Sequence, residues 1–300
     1  KEWRRLARAS STPWLLAAYV LAPAAVAALY LQTSNRGPAG LMPQMVPLMG
    51  AQALSNVAAW QILLLAVWAP WLASSLLASE VEERTLEPFL AGGGRLLGAV
   101  AGKWLAVVMF FALVLAAGLP AFALPMLVGG VNWGLIGRVL AIEGATVLAM
   151  AGVGLALSAL GRRAGNLAMA GVALGLALTL GTALAANAAG MAGQSFDPRM
   201  LSSKRVVVVA HGDEPKWLYA NPLAGLTSAL DNGSMALVPI PRNWTEPFYE
   251  TYQLWQVQSA VGAGLGLVLA VLSWLVMAVR LKWRRPLWAL RRRKAVAVNG

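Results

Sequence analysis

The sequence predicts an all-α polytopic membrane fold, and three observations carry that reading. Hydrophobic residues fill 59% of the chain and charged ones only 12%, against the ~25% charge of ordinary soluble domains. Six runs, uncharged except for Glu143 in the fourth, each approach the roughly 20 residues that a helix needs to cross a hydrocarbon core. The cations gather at the ends of those runs with a one-sided bias, the pattern that sets orientation during membrane insertion.

Residues 1–12 form an expected elbow helix lying in the membrane interface, because Trp3, Leu6 and Ala7 share one face while Arg4, Arg5 and Arg8 occupy other positions. The six expected spans are 13–31, 57–78, 104–126, 139–160, 166–188 and 259–279. Pro38, Pro43 and Pro47 make Gly37 to Gly50 an irregular approach to the second span, since each proline removes a backbone donor. Pro70 is expected to kink that span. A loop at 79–97 joins the second and third spans, a polar region at 189–257 precedes the last, and 280–300 form a basic tail.

With both termini in the cytosol, six spans place 17 of the 24 cations and five of the 12 acids inside, so the whole net charge of +12 lies there. A seventh crossing cut from the uncharged Gly37 to Ser79 region would send one terminal basic cluster to the wrong side. Topology thus accounts for the charge, and nucleic acid is not an expected partner. Arg280 to Lys294 carries eight cations interleaved with Trp283 and Trp288, a pattern suited to anionic lipid headgroups. In the 189–257 region, Val206 to Val209 reads as a short strand and Pro222 to Leu230 as a small helix with Leu223, Leu226 and Leu230 on one face. The sequon at Asn243-Trp244-Thr245 is read as accidental in a chain of bacterial character.

The segment from Ser79 to Gly94 packs Glu80, Glu82, Glu83 and Glu87 between two hydrophobic spans of a basic protein. Ser79 with Glu82 matches a capping box, and Thr85 is placed to cap a short helix that starts at Leu86, tolerates Pro88 in its first turn and stops at Gly92-Gly93-Gly94. Exposed on the cytosolic side, such a helix would present Glu87 with Leu86, Phe89 and Leu90 to a groove on a partner. A solvated turn without a partner is the plainer reading of the same residues.

Glu80, Glu83, Thr85-Leu86-Glu87 and the later Gly102-Lys103 pair resemble the cytosolic loop of ABC-2 type ABC transporter permeases. The amphipathic start and the Asn221-Pro222 step before the last span are similar to features of the same family. Arg84 stands where the family usually has glycine, and the triple glycine where it usually has a proline-containing turn. The resemblance implies an exporter subunit in a bacterial cytoplasmic membrane, working as two permease copies or a copy with a sibling. Glu80, Glu82, Glu83, Arg84, Thr85, Leu86, Glu87 and Phe89 would couple it to two separate ABC ATPase subunits. ATP and Mg would bind to those partners.

The residues supply no cofactor or catalytic site of their own. Gly98 to Trp104 has three residues between its glycines and Trp where a phosphate-binding loop needs Ser or Thr. Cysteine is absent, and His211 is the single histidine. An intramembrane hydrolase lacks its motifs here. The charges of the membrane region are Arg138, near the outer end of the fourth span, and Glu143 within it, about 7.5 Å apart along a helix and turned roughly 140° from one another, so they are poor mutual partners. Glu143, with Arg138, is a candidate contact in a substrate path, and for Glu143 the plainer reading is a hydrogen bond to a neighbouring helix. Gly171/Gly175 and Gly262/Gly266 permit close helix approach, within one subunit or across a dimer seam. The sparse charge suggests a hydrophobic or amphiphilic cargo such as a drug, lipid or peptide, and an ion-gradient-driven secondary transporter is the alternative.

Overall fold

A computed structural model describes residues 12–35, 46–83, 96–161, 164–184, 220–230, 237–241 and 249–298. Helix α1 spans Thr12–Asn35, α2 Val46–Glu82 and α3 Leu96–Gly118. A 3-10 turn at Leu119–Phe122 continues α3 into α4 at Ala123–Val128. Pro120 lies at the start of that turn, where its missing N–H breaks the α-helical ladder without ending the helix. Next come α5 at Trp133–Leu160, α6 at Ala164–Leu176 with a π segment at Ala177–Gly181, α7 at Pro222–Leu230, and α8 at Leu254–Val298. Strands β1, Leu237–Pro241, and β2, Tyr249–Gln253, pair antiparallel with Pro239 opposite Thr251.

Six of these stretches are long and apolar enough to cross a membrane, at Leu16–Thr33, Met49–Glu80, Leu96–Val128, Trp133–Leu160, Gly165–Leu184 and Trp255–Arg280. The chain is a multi-pass membrane protein. The fourth crossing, α5, is 72% buried while the others range from 17% to 47%, so α5 is the axis around which the bundle is built. Leu105, Met109 and Leu113 follow one another at helical spacing on the outer face of α3 and remain exposed, the arrangement expected where lipid replaces water.

Small residues set the closest approaches. Gly154 and Gly171 both press on Pro70, Gly175 lies against Ala66, Gly262 against Ala145 and Gly266 against Leu148. Both small-residue pairs singled out in the sequence therefore pack within the subunit, one against α2 and the other against α5. Gly129, with φ of 106°, makes the turn before α5 in a conformation that favours glycine, and Gly50 packs directly on its carbonyl.

Several expected boundaries shift. The second crossing belongs to a helix that starts at Val46, not Val57, with Pro47 in its first turn, where a missing N–H costs nothing. The third starts at Leu96 instead of Trp104 and the fourth at Trp133 instead of Val139, capped by Asn132, whose side chain accepts from the Leu135 N–H at 2.8 Å. Uncharged runs locate the hydrocarbon core, whereas backbone hydrogen bonding carries each helix beyond it. The fifth crossing starts at Gly165 and is described to Leu184. The last helix starts at Leu254 and runs through most of the expected tail. The helix at Pro222–Leu230 forms as expected, with Leu226 buried. The hairpin of β1 and β2 lies in the 189–257 region, at residues where no strand is expected. The elbow at 1–12, the Val206 to Val209 strand and Asn243 lie outside the described residues, apart from Thr12, which opens α1.

Candidate functional site

Three polar layers interrupt the apolar bundle. The first joins the two stems of the acidic segment. Lys103 is buried inside α3, and its ammonium sits 2.8 Å from a Glu80 oxygen and 2.9 Å from the Leu76 carbonyl, which accepts from it. Lys103, expected just before the third span, is thus a residue of α3, and a Glu80 carboxylate oxygen pairs with it. The expected capping box at Ser79 does not form: α2 continues to Glu82, and the Ser79 hydroxyl donates back to the Leu76 carbonyl at 3.3 Å. A serine inside a running helix bonds the preceding turn because no orphan N–H is there to cap. Glu82 and Glu83 are exposed at the helix end, while Arg84, Thr85, Leu86, Glu87 and Phe89 lie outside the described residues.

The second layer lies inside the bundle, about 15 Å along α5 from Trp133 by helical rise. Glu143 is 1% exposed, and Tyr19 from α1, fully buried, donates a long 3.4 Å hydrogen bond to its Oε2. Glu143 Oε1 has no partner among the described residues. Gln61 of α2 is also fully buried, and neither of its amide atoms has a described partner. Gly118 of α3 lets Tyr19 and Gln61 approach the same spot: a Cβ there would lie 2.5 Å from Tyr19 Cε1 and 2.8 Å from Gln61 Nε2. Helices α2 and α5 run side by side in one direction, with Gly154 on Pro70. Nine residues back along each stand Gln61 and Ala145, so Gln61 and Glu143 share a level.

This level is also the seam between two hydrophobic clusters. One contains Tyr19, Leu65, Val107, Phe111, Val114, Val147 and Met150. The other contains Leu54, Ile62, Ala121, Phe122, Val139 and Ile142. Along α2, α3 and α5 alike, Gln61, Gly118 and Glu143 fall where one cluster gives way to the other.

The third layer closes the opposite end. Asn221 is fully buried; its side-chain oxygen accepts from the Leu223 N–H at 2.8 Å, capping α7. Its amide nitrogen donates to the Thr179 carbonyl at 3.1 Å and the Thr182 hydroxyl at 2.7 Å. Both acceptors belong to the π-widened stretch of α6 and the residue after it. Arg138 donates to the Ala229 carbonyl at 3.4 Å and lies 5.9 Å from the Trp255 ring centre, tying α5 to α7 and α8. Arg138 and Glu143 have separate partners, as their helical spacing requires.

Glu143 and Arg138 were legible as intramembrane charges, but Tyr19 and Gln61 were not. An uncharged amide or phenol within a span leaves hydropathy almost unchanged, and only its burial in the bundle singles it out. In the sequence Lys103 marks a span boundary, because a charge ends an uncharged run. Comparison with protein-family models and with curated proteins found no match.

Proposed function

We propose that this chain is the membrane-spanning permease subunit of an ATP-driven ABC-2 exporter. In this reading both termini and the acidic segment face the cytosol of a bacterial cell, and the basic tail lies against anionic lipid. Two such chains, or one with a sibling, form the pathway, and two separate ATPases bind ATP and Mg and seat on the acidic segments. The cargo is hydrophobic or amphiphilic.

The observation that supports this reading best is the Lys103–Glu80 pair at the root of the acidic segment. A loop whose two stems are pinned by a partly buried ion pair and a carbonyl contact moves both stems together. Force applied at Glu82, Glu83, Arg84, Thr85, Leu86, Glu87 or Phe89 would therefore reach α2 and α3 as one unit. Helix α2 packs through Pro70 and Ala66 on both α5 and α6, so a tilt of this unit would be felt across the bundle. Glu80 acts in this scheme as the anchor of the handle, and the acids beyond it as the grip.

Orientation and docking are tested together. The chain has no cysteine, so Glu83→Cys supplies a single labelling site without prior substitutions. A membrane-impermeant maleimide should reach it only after the cell membrane is opened. The tagged wild type should copurify an ABC ATPase, and charge reversal at Glu82, Glu83 and Glu87 should abolish the association. Labelling of Glu83→Cys in intact cells, or a wild-type chain that never retains an ATPase, would refute the proposal.

A further inference from the structure

We infer that Tyr19, Gln61 and Glu143 form a binding site for a single monovalent cation at the seam between the two hydrophobic clusters. The available ligands are hard oxygens: Glu143 Oε1 and Gln61 Oε1, both buried and without a described partner, and the Tyr19 phenol oxygen, whose proton points to Glu143 Oε2. Such donors suit a proton carried as hydronium, or sodium.

Charge sets the valence. Glu143 is the one carboxylate at this level, and no group of three metal-binding side chains occurs among the described residues. The cations whose side chains the structure describes are engaged elsewhere. Arg138 serves the Ala229 carbonyl, Lys103 serves Glu80, and Arg280 serves the carbonyls of Ala159 and Gly161. Tyr19 of α1 is the group in contact with Glu143, and the neutral Gln61 of α2 and the bare Gly118 of α3 lie beside Tyr19. One negative charge in a low-dielectric layer is balanced by one positive charge, whereas a divalent ion would leave an excess.

Gly118 packs on Tyr19 and Gln61 so closely that even a methyl group on it would collide with both, so α3 contributes no side chain of its own at this position. The inference is independent of the exporter reading, because it concerns a site away from the acidic segment.

Infrared difference spectroscopy on the full chain in zwitterionic nanodiscs reads the carboxyl group directly. One arm exchanges choline for sodium at constant pH, and the other steps pH at constant choline. A carboxyl band that responds to sodium and vanishes in Glu143→Gln identifies sodium, while a band that responds to pH alone and vanishes in that variant identifies the proton. Gln61→Leu and Tyr19→Phe keep the carboxylate and should each weaken the apparent ion affinity, by about tenfold for one lost ligand. These two variants keep the test decisive if Glu143→Gln does not fold. The absence of any sodium- or pH-dependent carboxyl band that is lost in Glu143→Gln, or unchanged affinity in both conservative variants, would overturn the site. ATPase copurification is not read in this experiment, so its outcome leaves the docking proposal untouched.

Discussion

Lys103 and Glu80 meet at 2.8 Å across the mouth of the acidic segment, and the lysine is the more deeply buried partner, with its side chain 5% exposed against 29% for the glutamate. The pair is therefore asymmetric. Removing the carboxylate strands an ammonium inside the bundle, whereas removing the ammonium leaves a carboxylate that already reaches water.

Glu80→Gln should accordingly be the more destabilising of the two single substitutions, by about 2–4 kcal/mol, with Lys103→Met costing roughly half as much. The double variant should recover much of the loss, because neither charge is then stranded. Apparent unfolding temperatures in detergent check the order, and a larger loss for Lys103→Met, or simple additivity, would contradict the asymmetry.

Asn221 does two jobs that substitution can separate. Asn221→Asp keeps the oxygen that caps α7 but loses the donor to Thr179 and Thr182, while Asn221→Ala loses both. The alanine variant should cost about 1–2 kcal/mol more than wild type, in the range of a lost cap with a lost buried hydrogen bond. Limited proteolysis across 220–230 should show α7 loosened in both variants and unwound only in the alanine one.

The glycines of the bundle fall into two classes. At Gly266 a Cβ would collide with the Leu148 backbone, and at Gly154 with Pro70, so alanine at either position should force α5 and its neighbour apart at a cost of about 1–3 kcal/mol. Gly102 has nothing within 4 Å of its would-be Cβ, and Gly102→Ala should be neutral or stabilise α3 by up to about 1 kcal/mol. Thermal unfolding of the three variants in one detergent distinguishes the classes.

Arg280 donates to the carbonyls of Ala159 and Gly161, at the end of α5. Unsatisfied carbonyls at a helix terminus are costly within a membrane protein. Arg280→Ala should fray this end, raising hydrogen exchange at Gly161, whose N–H bonds the Leu157 carbonyl. Exchange unchanged from wild type would show that the arginine does not hold the terminus.

The number of crossings and their approximate places were determined by the sequence alone, because the cost of placing charge in hydrocarbon acts on each segment separately. The short helix at Pro222–Leu230 was legible for a similar local reason. Which polar residues meet was decided only by tertiary packing. Tyr19, Gln61 and Glu143 come from three helices far apart in the chain, and no local pattern marks the level at which they converge. Lys103 shows the same limit from the other side: a cation beside an apolar run reads as the edge of the membrane until a carboxylate from another helix is found to neutralise it. Desolvation is paid residue by residue and leaves its trace along the sequence, but the pairing that offsets it is a property of neighbours in space.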